Sequence, residues 1–264
     1  MTWKTTRRLL LYSVATAAVA GVGSANATPM VLTLSAQDIT TSAPAAVDVF
    51  CDVASAACTA AGVANSVAPT ILGTPNAISV GAGTQGAIKF TSENVSSVIG
   101  TGPIYNNLLT TDALNVMNTS LTDLYALTAS VSGYNFQGPD SVFSVTGNGE
   151  FITSANSQMH LNWFDDPTNA GIADASTQIN TFTSTPANPN LFSYATTVDS
   201  ASLHNPDTGL YSMTETWNYT LAPGGQLQNR GQTEDKVFTP EPATLLLLGA
   251  GIFGLGIVRR RKST

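Results

Sequence analysis

Charge is scarce in this chain: only 10% of its 264 residues are Asp, Glu, Lys or Arg. Basic residues nearly vanish between positions 28 and 239, where Lys89, Arg230 and Lys236 stand against every acidic residue of the chain except Glu241. So acidic a segment repels phosphate backbones, which argues against nucleic acid as a partner. The two histidines, His160 and His204, lie far in sequence from the two cysteines, Cys51 and Cys58, so no zinc-ligand spacing exists. No phosphate-binding loop and no Cys-x-x-Cys pair occurs. A Gly-x-Ser-x-Gly elbow is also missing, and without it a triad built on His160, Asp165 and one of many serines is rejected. Internal repeats are absent, which argues against a propeller or β-helix, and long helical periodicity is nearly absent too.

What charge the chain does spend on cations is concentrated at its ends. Lys4, Arg7 and Arg8 precede the apolar stretch from Leu9 to Val22, and Ala25-Asn26-Ala27 offers a small-x-small cleavage site. That is the layout of a secretory signal peptide, with Thr28 as the mature N-terminus. Export into an oxidising compartment makes Cys51 and Cys58 an expected disulfide. Closing so short a loop stabilises a fold by roughly 2–3 kcal/mol in the chain-entropy model.

At the other end, Pro240-Glu241-Pro242 is followed by an uncharged stretch from Ala243 to Val258 and then by Arg259, Arg260, Arg261 and Lys262. As a helix the uncharged stretch spans about 24 Å at 1.5 Å per residue. That is a little short of the ~30 Å hydrocarbon core, so the basic block would sit at the cytoplasmic interface. A plain C-terminal anchor is one reading. In its three parts and their order, however, the tail resembles the PEP-CTERM sorting signal: Pro240-Glu241-Pro242, then Ala-Thr-Leu-Leu-Leu-Leu-Gly-Ala-Gly, then the basic block. The resemblance implies recognition by an exosortase, a membrane-embedded cysteine protease or transpeptidase, with processing near Pro240-Glu241-Pro242. It also implies a diderm bacterium that makes extracellular polysaccharide, and a protein that passes through the inner membrane to the cell surface or matrix. The central segment is similar in layout to a recurrent type within that group, a similarity that brings no activity with it.

Residues 28–239 are rich in Ser, Thr, Asn, Gly and Ala and read as one exported all-β domain. The clearest strand covers 210–221, where Tyr211, Met213, Trp217, Tyr219 and Leu221 alternate with polar residues and Glu215 interrupts the apolar side. Similar alternation runs through Tyr125 to Val131 and Met159 to Trp163. Shorter candidates are 31–35, 47–53, 87–91, 142–146, 150–154, 178–183 and 191–198, and a last strand fits within 222–239. Gly147-Asn148-Gly149 between two apolar runs suggests a hairpin, and 107–118 a short helix. Such strands bury their apolar sides by pairing two sheets, so the expected fold is an antiparallel, jelly-roll-like β-sandwich, with a barrel second.

Candidate chemistry is sparse. Asp165, Asp166 and Asn169 are hard oxygen donors in one loop and could hold a structural calcium, although Asp-Asp-Pro-Thr-Asn is also an ordinary strand-ending turn. No other cofactor is indicated. Trp163 and Trp217 could offer flat faces to sugar rings, with Glu215 in the same groove; the alternative for Glu215 is a solvated position near the sheet edge. These residues define three hypotheses. The first is a non-enzymatic surface or biofilm-matrix protein associated with exopolysaccharide. The second is a carbohydrate-binding module using the tryptophans, and the third a glycoside hydrolase using Asp165, Asp166 or Glu215.

Overall fold

The computed structural model describes residues 29–91, 93–98, 106–111, 115–137, 142–153, 156–171, 173–184, 190–199, 210–228 and 233–238. The expected signal peptide, the segment carrying His204, and the sorting tail with its apolar stretch all lie outside these residues. In chain order the first elements are β1 (Met30–Asp38), β2 (Ala46–Cys51), α1 (Ala56–Asn65), β3 (Thr70–Ile71), β4 (Ala77–Val80), β5 (Gly83–Gln85), β6 (Ile88–Phe90), β7 (Glu93–Val98), β8 (Asn106–Thr111) and β9 (Val116–Asn118). They are followed by β10 (Tyr125–Phe136), β11 (Val142–Thr153), β12 (Gln158–Asp166), β13 (Gln178–Ser184), β14 (Asn190–Asp199), β15 (Tyr211–Leu221), β16 (Gln226–Gln228) and β17 (Thr233–Phe238).

The strands form two sheets that pack as a sandwich. One runs β13-β12-β15-β10-β1-β2-β3; the other runs β4-β7-β8-β17-β11-β16-β9-β6-β5, with β14 also paired to β11. Among the described pairings only β2 with β3 is parallel. Alternation drives the packing, because successive side chains of a strand leave opposite faces. On β15 the inward set is Tyr211, Met213, Glu215, Trp217, Tyr219 and Leu221, all at 1% exposure or less. Leu127, Ala129 and Val131 of β10 stand beside them in register. The second sheet supplies Val95, Leu109, Phe143, Val145 and Phe151 to the same cluster. Each large side chain fully buried contributes roughly 1.5–3 kcal/mol.

The helix lies at 56–65, where sequence pattern did not place one. Its signal is local: Ser55 is the N-cap, its Oγ accepting the Cys58 N–H at 3.1 Å, and five alanines follow within the helix. The Cys51–Cys58 disulfide, as expected, ties α1 to β2. Val31, Val49, Cys51 and Cys58 form a small second core between the helix and the outer face of the first sheet. Close approach explains Gly62, where a Cβ would stand 2.6 Å from Pro69 Cγ. Among the described residues no helix is long and apolar enough to cross a membrane.

Two expectations are corrected. The described parts of 107–118 are the strands β8 and β9, not a helix. Asn107 and Thr111 point inward beside Leu109 and are fully buried, so two of the three inward residues of β8 are polar and its alternation is hidden. Gly147-Asn148-Gly149 is no hairpin turn but the middle of β11, which runs unbroken from Val142 to Thr153. Gly147 is paired with Tyr194 of β14. The Tyr194 ring stacks on Phe182 at 4.6 Å and on Trp163 at 5.6 Å. Phe182 and Trp163 belong to the other sheet, so the stack closes one flank of the sandwich.

Candidate functional site

The aromatic candidates are core residues. Trp163 and Trp217 are each 0% exposed, and on the inner face Trp163 stands opposite Glu215 while Leu161 stands opposite Trp217. A ring buried between two sheets presents no face to a sugar, so the expected ligand groove at Trp163, Trp217 and Glu215 is corrected. Glu215 is not solvated either: it is 1% exposed, and its Oε2 accepts the Thr111 hydroxyl at 3.2 Å. The reason is topological. β15 lies between β12 and β10, away from either edge of its sheet, so an inward residue on it meets the opposing sheet rather than water.

The acidic loop is held by its own bonds. Asp166 accepts from the Thr168 N–H at 2.8 Å, the Thr168 hydroxyl at 2.6 Å and the Ala170 N–H at 2.8 Å. Asn169, in a left-handed conformation, exchanges bonds with Asn135: its Oδ1 accepts the Asn135 N–H and its Nδ2 donates to the Asn135 Oδ1, both at 2.8 Å. Asp165 and Asp166 leave β12 on opposite faces, both buried, and Asp165 points with Trp163 into the sandwich. The structure therefore does not bring them together as a pair across an open cleft. Among the described residues no group of three or more His, Cys, Asp or Glu is placed to hold a metal ion. The glycines of Gly81-Ala-Gly-Thr-Gln-Gly86 have dinucleotide-loop spacing, but they lie in the β5–β6 hairpin with no helix after them.

Buried polar groups that pattern reading missed mark where the interior is demanding. Asp52 and Glu93 are both 0% exposed. Tyr219 is buried at 1% exposure and its hydroxyl has no hydrogen-bond partner. Burial first, and the charge of Glu93 second, push its phenol well above the usual tyrosine range. A raised folded-state pKa contributes stability that is present below the unfolded value of about 10 and is lost as pH climbs through the folded one. Tyr219→Phe should therefore stabilise the protein by about 1 kcal/mol at neutral pH, because an unpaired buried hydroxyl is removed. It should also move alkaline unfolding, followed by circular dichroism, to higher pH. A variant less stable than wild type at both pH values would show that the hydroxyl has a partner.

An ordered polar surface lies on the other side of these strands. Cross-strand register on the outer face of the first sheet aligns Thr33, Ser130, Thr216, Asn162 and Thr181 in one row across β1, β10, β15, β12 and β13. The adjacent row is Ser35, Thr128, Asn218, His160 and Thr183. All ten are half-buried or exposed, and none is Asp, Glu, Lys or Arg. Thr128 donates to Asn218 at 2.9 Å, and Asn162 accepts from Thr181 at 2.8 Å and from Gln178 at 3.2 Å. Asn162 also donates to Thr216 at 3.3 Å, and His160 Nδ1 shares a 2.8 Å bond with the Thr183 hydroxyl. Strand spacing makes the array about 20 Å long, with its two rows about 7 Å apart.

Comparison with known proteins adds one specific match. Residues 238–262 fit the family model described as the PEP-CTERM protein-sorting motif. No curated protein matches the chain. Among solved structures, the chain is similar to TmCBM61, determined in complex with beta-1,4-galactotriose, at 10% identity over 51% of this chain and 89% of that one, TM-score 0.30. It is similar to the enzymatically active domain of bacteriophage CBA120 tailspike protein 4 at 14% identity, over 54% of this chain and 19% of that one, TM-score 0.30. It is similar also to the mannan-recognising carbohydrate-binding module TmCBM27 at 10% identity, over 62% and 89% of the two chains, TM-score 0.29.

Proposed function

We propose that this is a non-enzymatic structural protein of the extracellular matrix, exported through its signal peptide and handed on by an exosortase. The observation that carries the reading is the PEP-CTERM match over residues 238–262, which supports an exported protein sorted through the membrane. In this reading the apolar stretch from Ala243 to Val258 parks the protein in the inner membrane, Arg259 to Lys262 hold its end on the cytoplasmic side, and processing near Pro240-Glu241-Pro242 releases the sandwich to the exopolysaccharide. The burial of Asp165, Asp166 and Glu215 supports a non-catalytic domain, since glycoside hydrolysis needs two carboxyls on either side of an accessible sugar.

The test is the mass of the mature C-terminus, measured on protein from its native host and from a strain lacking the exosortase. The native product should end near Pro240, and the exosortase-deficient one should keep Ala243 to Thr264. A tail retained in both strains would make the segment a permanent anchor and sink the sorting reading.

A further inference from the structure

We infer that the outer face of the first sheet, centred on Thr216, Asn162 and Asn218, is a binding surface for an uncharged polyhydroxylated polymer, a neutral polysaccharide. The inference rests on the proposed matrix role and supplies the surface by which the protein would hold that matrix.

Three observations lead there. First, the surface is free of formal charge within a strongly acidic segment. Residues 28–239 are strongly acidic, yet neither row carries a carboxylate or an ammonium group. An anionic polymer laid on the face would be repelled by the net negative charge of the segment, and a cationic one would find no counter-charge in the rows. A neutral chain meets neither obstacle. Second, the chemistry is two-way. Hydroxyls and amides both donate and accept, which matches a sugar hydroxyl and mismatches ligands that only donate or only accept. Third, the side chains are ordered in advance. Asn162 is fixed by bonds to Thr181, Gln178 and Thr216, and Asn218 by the hydroxyl of Thr128. Ordering of these groups is therefore already complete before a ligand arrives.

The rows run across five strands, so a polymer lying along them meets a hydrogen-bonding side chain at every strand, about 4.8 Å apart. Without aromatic stacking each contact is weak, and retention comes from many contacts along one chain. This separates the surface from a groove that grips a short oligosaccharide. It also explains why Trp163 and Trp217 can both be spent on the core.

The experiment uses mature protein purified from the native host, run in native gels containing galactomannan, dextran or alginate. Migration should be retarded by at least one of the two neutral polymers and not by alginate. The double variant Asn162→Ala, Asn218→Ala should weaken that retardation about tenfold, while Asn94→Ala on the other sheet leaves it unchanged. Backbone amide shifts on adding the retarding polymer should map to β10, β12 and β15, which tests the surface even where the double variant folds poorly. No retardation by either neutral polymer, retardation intact in a folded double variant, or stronger retardation by alginate would overturn the proposal. So would shifts confined to the other sheet, or sedimentation showing that the rows bind a second copy of the chain. The C-terminal mass reports on sorting alone, so either idea can fail while the other stands.

Discussion

Trp217→Ala should destabilise the protein by roughly 3–5 kcal/mol, a large share of the ~5–15 kcal/mol that separates folded from unfolded domains. The ring is 0% exposed on β15, flanked in register by Ala129 of β10 and Leu161 of β12. Removing it leaves a cavity that two hydrogen-bonded sheets cannot collapse to fill, because moving either backbone would break ladder bonds. Its neighbours are already small or fully packed: Ala129 is itself 0% exposed and Leu161 2%. Trp217→Phe retains most of the apolar volume and drops an indole N–H that has no partner, so it should cost much less. Urea titration of the three proteins checks the order. A tryptophan placed for ligand stacking behaves differently, since an exposed ring changes stability by less than about 0.5 kcal/mol. A Trp217→Ala variant of near wild-type stability would therefore refute the buried position.

Asp52→Ala should cost about 3 kcal/mol, through the backbone rather than through packing. The Asp52 carboxylate accepts three main-chain N–H groups: Met30 at 2.8 Å, Val53 at 2.6 Å and Asn76 at 2.9 Å. Met30 begins β1, Val53 follows the disulfide-bearing end of β2, and Asn76 precedes β4. One side chain thus ties together the start of the described chain, the helix hairpin and the second sheet. Alanine would strand the buried Met30 donor, and the three strand junctions would loosen together. Asp52→Asn keeps one carbonyl acceptor and should fall between.

Burial raises the Asp52 carboxyl above its ordinary value, while the three backbone bonds pull the other way and only partly compensate. A carboxyl raised in the folded state contributes stability that is fully present below its unfolded pKa, about 3.9, and is lost as pH rises through the folded one. The advantage of wild type over Asp52→Asn should accordingly shrink as pH is raised from about 3 through that range. An advantage that grows instead would show that the backbone bonds outweigh desolvation.

The sorting motif was legible in the linear chain because such a tail is read as a segment, apart from folding. Pro240 to Lys262 need no tertiary context to be recognised, and they lie within the stretch that the sorting-motif family matches. Strand identity was legible wherever one face is apolar and the other polar, as in β1, β10, β12 and β15. It failed where tertiary pairing reversed the local cue. β8 turns its polar Asn107 and Thr111 inward because Tyr211 and Glu215 await them: the Asn107 amide donates to the Tyr211 hydroxyl at 2.6 Å, and the Thr111 hydroxyl to Glu215. β11 carries Gly147 and Gly149 through its middle as ladder residues paired with Tyr194 and Phe192 of β14, so strand pairing overrides the local turn cue.

The candidate site followed the same division. Composition alone determined that the exported segment is acidic, uncharged over long stretches, and rich in hydroxyl and amide side chains. Period-2 alternation determined which residues share a face of one strand. Which face meets water is a property of the assembled sandwich: Trp163, Trp217 and Glu215 could be placed on one side of their strands, but only the position of β15 between β10 and β12 puts that side in the core. The two rows of Ser, Thr, Asn and His are likewise invisible along the chain, where their members lie as much as 150 residues apart, from Thr33 to Thr183. Antiparallel register brings them side by side, because a hydrogen-bonded ladder fixes both the partner and the face of every residue it pairs.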